Sequence, residues 1–113
     1  MVGIRGATSI EKNEKSHIIK RSTELYNEII KNNHIKDIIA ILASVTPDIT
    51  AYNPITAIRE EFDLKDIPLM TLQEAMFEES HEGIIRLLIL CESETKNFVF
   101  LHKAKKLRED LFP

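Results

Sequence analysis

The chain has 113 residues, 43% of them hydrophobic and 29% charged, with a formal net charge of −3. That length and balance fit one domain, residues 1–113, with its own core, and exclude a disordered or fibrous chain. The acidic balance argues against nucleic acid as a partner, and no apolar run is long enough to cross a bilayer.

The N-terminus lacks a basic-then-apolar signal sequence, so the cytoplasm is the expected location. Val2–Ile10 reads as a strand loosened by glycines that permit close backbone approach. Asn13 is placed to cap a helix from about Glu14 to Asn33, whose Ile18, Ile19, Leu25, Tyr26, Ile29 and Ile30 form one stripe at helical spacing. Such a stripe is the face that packs on a sheet. Ile38–Val45 is a β-branched run suited to a second strand and is ended by Thr46-Pro47-Asp48.

Pro54 suits the first turn of a short helix, Ile55–Phe62, which carries Arg59. Strands are predicted at Ile67–Leu72, Ile84–Cys91 and Phe98–Leu101, with the remaining tail a helical turn or irregular. Lys103, Lys105, Lys106 and Arg108 make that tail basic, and a solvated face is the ordinary reading. The single cysteine, Cys91, closes the most apolar run and reads as a buried, reduced thiol. The four histidines show no metal-ligand spacing. The alternation predicts an α+β (α/β sandwich) fold, a five-stranded mixed sheet with one long and one short helix. Two helices leave part of such a sheet bare, so a partner subunit is expected to cover the rest.

Two arginines stand out. Arg86 interrupts Ile84-Ile85-Arg86-Leu87-Leu88-Ile89-Leu90-Cys91, which otherwise reads as a strand buried on both faces. Arg5 interrupts the first strand in the same way. A guanidinium so placed needs an anion or a set of hydrogen bonds. The residues alone leave two readings, a pocket for a small anion or ion pairs with the chain's own carboxylates.

Gly3-Ile4-Arg5-Gly6-Ala7-Thr8 resembles the opening motif of the AroH class of chorismate mutases. The resemblance continues through Ser44-Val45-Thr46-Pro47-Asp48, Pro54 with Ala57-Ile58-Arg59-Glu60, and Ile67-Pro68 followed by Gln73-Glu74. It closes with Arg86, Leu101-His102-Lys103-Ala104 and Leu107-Arg108-Glu109-Asp110-Leu111. These blocks span nearly the whole chain in order. The resemblance implies a homotrimeric pseudo-α/β barrel of the AroH/YjgF-like type, with active sites between subunits. It also implies the pericyclic rearrangement of chorismate to prephenate, with no metal or organic cofactor.

By resemblance, Arg86 is aimed at the breaking ether oxygen and one carboxylate, and Arg5 binds a carboxylate. Glu74 accepts a hydrogen bond from the ring hydroxyl, or else is a salt bridge that only orients an arginine, and Thr71 supplies a neighbouring backbone donor. Arg59 and Arg108 add charge at the cleft mouth and over the substrate, while Phe100 and Leu107 complete the binding surface. The chain departs from the family pattern at Phe100, where a phenol is usual, at Asn53 for phenylalanine, at Thr56 for lysine and at Thr71 for cysteine. The acidic Glu78-Glu79-Ser80-His81-Glu82 replaces a loop richer in glycine. Two rival readings follow: a diverged, non-catalytic or differently specific small-anion-binding trimer of the same fold, and an interaction module whose arginines serve subunit interfaces.

Overall fold

The computed structural model describes residues 1–110, so Leu111 of the last motif lies outside the described residues. In chain order the elements are β1 (Val2–Ser9), α1 (Lys15–Lys31), β2 (Ile35–Val45), α2 (Pro54–Phe62), β3 (Leu69–Gln73), β4 (Ile84–Ser93), β5 (Val99–Phe100) and a C-terminal 3-10 helix, His102–Arg108. The strands form one mixed sheet in the order β3-β2-β4-β1-β5. Central β4 runs antiparallel to β1 and β2, while β3 is parallel to β2 and β5 to β1. This is the predicted α+β architecture.

The two helices cover one face of the sheet. Ile4 of β1, Ile41 and Ala43 of β2, and Leu87, Ile89 and Cys91 of β4 point to that face and are buried. They meet Leu25, Tyr26 and Ile29 of the α1 stripe and Ile55 and Ile58 of α2. Tyr26 and Phe62 join the helices with ring centroids 4.6 Å apart. Gly6 leaves room for α1: a Cβ there would lie 2.6 Å from Ile29 Cδ1 and 3.1 Å from the Val99 carbonyl oxygen. Cys91 is a free, buried thiol, and burial followed by the nearby Glu92 charge pushes its pKa up.

The opposite face corrects one expectation. The β4 run reads as buried on both sides, yet Arg86 is exposed and Leu88 and Leu90 are only half-buried. An apolar run looks the same in sequence whether its second layer comes from its own chain or from none within the protomer. The sequence-derived prediction of an incompletely covered sheet therefore describes this face, while that of a buried Arg86 does not.

Other differences are local. Asn13 does not cap α1, because Glu14 occupies the cap position and makes no side-chain cap bond. The Asn13 carboxamide instead accepts from the Thr50 and Ala51 amides, each at 3.0 Å, and donates to Thr50 Oγ1. Helix α1 stops at Lys31 rather than Asn33, since Asn33 leaves the helix to bind the β4–β5 connection through Thr95 and Asn97. Strand β2 begins at Ile35 and is irregular in its pairing up to Ala40. The tail is an ordered 3-10 helix anchored on β1, where Leu101 N donates to Ala7 O and Lys103 N to Ser9 Oγ. No helix among the described residues is long and apolar enough to cross a membrane.

Candidate active site

Strand register builds the site on the open face. One cross-strand row runs Leu72–Ser44–Arg86–Ala7–Phe100 through all five strands. The next runs Met70–Leu42–Leu88–Arg5. Arg5 and Arg86 therefore share a face on adjacent strands as diagonal neighbours, within reach of one small ligand. Ser44 and Ala7 flank Arg86 and are small. They leave an apolar cavity of about 290 Å³ lined by both arginines, Leu42, Leu88, Leu72 and Phe100.

A second, more polar cavity of about 440 Å³ meets the first at Arg86. Its walls are the segment after β3, from Glu74 to His81, and Lys106 and Leu107 of the 3-10 helix. The register of β3 fixes Glu74, whose N–H continues the ladder to Val45 O at 2.8 Å. Its Oε1 accepts from Arg86 Nε at 2.5 Å. Arg86 is 44% exposed and Glu74 22%. Among the described residues the two terminal nitrogens of Arg86 make no hydrogen bond. Glu74 thus orients the guanidinium through Nε and leaves its outer edge for an anion.

Arg5 is held differently. Its guanidinium lies 4.9 Å from the centroid of the Phe98 ring, and no carboxylate of the described residues pairs with it. Phe100 is buried and packs with Ala7, Ile84 and Ala104, and Leu107 joins the same cluster. Arg5, Glu74, Arg86, Phe100 and Leu107 are therefore brought together in one chain.

Three further residues named from the sequence lie elsewhere. Thr71 pairs with buried Ala43, and its hydroxyl donates to Asn53 Oδ1 at 2.8 Å. In a parallel ladder alternate amides point to opposite sides, so with Glu74 N–H directed at β2 the Thr71 N–H points to the free edge of β3. Arg59 is exposed on α2 and lines neither cavity at Arg86. Arg108 donates to both carboxylate oxygens of Asp110, at 3.0 and 2.8 Å, and also lines neither. Asn53, noted only as a departure, has a structural job: it caps α2, accepting from Ile55 N at 3.0 Å. The Asn53-Pro54 pair carried that signal in the sequence.

Glu79, His81 and Lys106 line the polar cavity, and sequence reasoning did not select them. For Lys106 the sequence carries no selective signal, since Lys105 and Lys106 both lie between buried Ala104 and half-buried Leu107, and only Lys106 lines this cavity.

A family model, chorismate mutase type I, matches residues 1–111. The chain belongs to this family. It is 32% identical to the chorismate mutase AroH of Bacillus subtilis over 96% of its own length and 91% of that protein. It is 30% identical to the AroH of Thermus thermophilus, over 96% and 94% of the two chains. A solved chorismate mutase from Clostridium thermocellum superposes with a TM-score of 0.87, at 28% identity, over 94% of this chain and 99% of that one. As a type I chorismate mutase the chain is an isomerase, and its sheet is the family's sheet.

Proposed function

We propose that this single-domain protein, as a homotrimer in the cytoplasm, rearranges chorismate to prephenate in sites completed between neighbouring copies. The observation that carries the reading is Arg86, oriented by Glu74 and open on its outer edge, beside Arg5 on a bare apolar sheet face. Chorismate carries two carboxylates, an ether oxygen and a ring hydroxyl. Its rearrangement is pericyclic, so no proton moves and no covalent intermediate forms with the enzyme. The protein's work is to hold the compact conformer and to aim positive charge at the ether oxygen as the C–O bond breaks.

Arg86 supplies that charge and holds one carboxylate. Arg5 offers a planar fork to a carboxylate, held in plane by Phe98. Glu74 faces the ring hydroxyl while fixing Arg86, so the two roles considered for it from sequence are compatible. Phe100 and Leu107 provide apolar walls, and Phe100 gives packing without the hydrogen bond of a phenol. One preorganised donor of this kind is worth about 10²–10³ in rate, or roughly 3–4 kcal/mol.

Two features support a site shared between copies. Leu42, Leu88, Leu90, Met70 and Leu72 form an open apolar face, with Met70 55% and Leu72 50% exposed. Thr71, with its N–H at the free edge of β3, and exposed Arg59 line neither cavity at Arg86 in their own chain and would instead meet the Arg86 of a neighbour. The test follows chorismate absorbance with purified protein, beside sedimentation equilibrium. Turnover well above background by a particle of three 13.0 kDa chains is expected. A folded trimer that binds chorismate without turnover replaces this reading with the diverged anion binder. A folded protein that does neither removes both.

A further inference from the structure

The tail's four basic residues do not form one patch. Lys103 acts electrostatically on Glu11, Lys105 lines a shallow surface groove with Glu28 and Phe98, and Arg108 is bound to Asp110 through two hydrogen bonds. Lys106 alone among them lines the cavity that contains Arg86 and Glu74. Its backbone is fixed from both ends, because Ala104 is fully buried and Leu107 packs on Ala7, Ile84 and Phe100. The first turn of the helix is held at Lys103, whose N–H donates to Ser9 Oγ at 3.1 Å. Among the described residues no carboxylate lies in ion-pair distance of Lys106.

We propose that Lys106 is a substrate-binding residue, a third cation that receives a carboxylate of the substrate at the solvent end of the polar cavity. This rests on the chorismate reading above. Arg86 and Arg5, diagonal neighbours lining one cavity, share one carboxylate of the dianion and leave its second carboxylate to place. The opposite wall of the polar cavity, with Glu79 and His81, offers no fixed positive charge to meet it. An ammonium on a flexible stem over that opening is a point charge suited to a carboxylate that arrives from solvent. Because it contacts a group remote from the breaking bond, it binds ground state and transition state alike. It therefore acts on KM and not on kcat.

The experiment compares wild type, Lys106→Ala, Lys106→Arg and Lys105→Ala in chorismate kinetics at low and high salt. The same four proteins are titrated calorimetrically with a stable bicyclic dicarboxylate that mimics the rearranging ether. For Lys106→Ala we expect KM and the dicarboxylate Kd to rise about 5–10-fold, with kcat within twofold and the difference narrowing at high salt. Lys106→Arg restores both constants, and Lys105→Ala behaves as wild type. Wild-type turnover with unchanged KM and Kd in Lys106→Ala overturns this proposal and leaves the function standing. A Lys106-dependent Kd without wild-type turnover does the reverse. A wild type that binds no dicarboxylate overturns both.

Discussion

Glu74→Gln separates an ion pair that serves the fold from one that serves the chemistry. The amide keeps the size of Glu74 and one acceptor oxygen but removes the charge that meets Arg86 Nε. The pair sits at the open face, with Arg86 44% exposed, so water screens it and its worth to stability is about 0–1 kcal/mol. For a chain of this size that is a fall of no more than about 5 °C in Tm. Activity answers to geometry. Glu74 holds the guanidinium by Nε, and displacement of such a group by about 1 Å costs on the order of 10²-fold. We therefore expect kcat/KM for chorismate to fall about 100-fold while the melting curve hardly moves. The assay is chorismate absorbance decay beside thermal unfolding followed by circular dichroism. A fall of 10 °C or more in Tm with kcat/KM within threefold of wild type would refute the reasoning and make the pair structural.

Arg5→Lys keeps the charge but loses the fork and its stacking on Phe98, so steady-state kinetics are expected to show KM raised about tenfold. Gly6→Ala drives a methyl into Ile29 Cδ1 and the Val99 carbonyl, and chemical denaturation is expected to show a loss of about 1–3 kcal/mol. For Glu11, partial burial pushes the carboxyl upward, but Arg21, at 2.7 Å, and His17 outweigh it and hold its pKa below the ordinary 4.5. A carboxyl lowered in the folded state stabilises above its unfolded pKa and loses that contribution as pH falls through the folded value. Glu11→Gln should therefore melt below wild type at pH 7, and the gap should close below about pH 4.5. A gap that widens in acid would contradict the sign.

Much of the fold was legible because helical and strand periodicities were long and clean. The α1 stripe and the Pro54 helix start met the layer that their spacing implied, and the apolar β4 run met it on one face only. The boundaries moved where a polar side chain had a distant partner invisible to local reading. Asn13 binds Thr50 and Ala51 instead of capping, and Asn33 quits the helix for Thr95 and Asn97. The site was legible where register decides it, since Arg5 and Arg86 share a face by strand alternation alone. Arg86 reads as buried and is exposed because composition does not say which face of a strand has a second layer. Lys106 is not legible in the sequence because a run of lysines looks solvated, and the inward-facing Ala104 and Leu107 bracket Lys105 and Lys106 alike.

The central claim is that Arg86 supplies the charge that answers the breaking ether bond. Its most direct test is kcat for chorismate in Arg86→Ala beside wild type, on protein shown to be folded with the same oligomeric mass. A fall of at least about 10²-fold in kcat, with melting preserved, is the expected result for a preorganised cation at the reacting oxygen. A variant that keeps kcat within tenfold of wild type would contradict the account, because the rate would then come from some group other than the one on which the site is built.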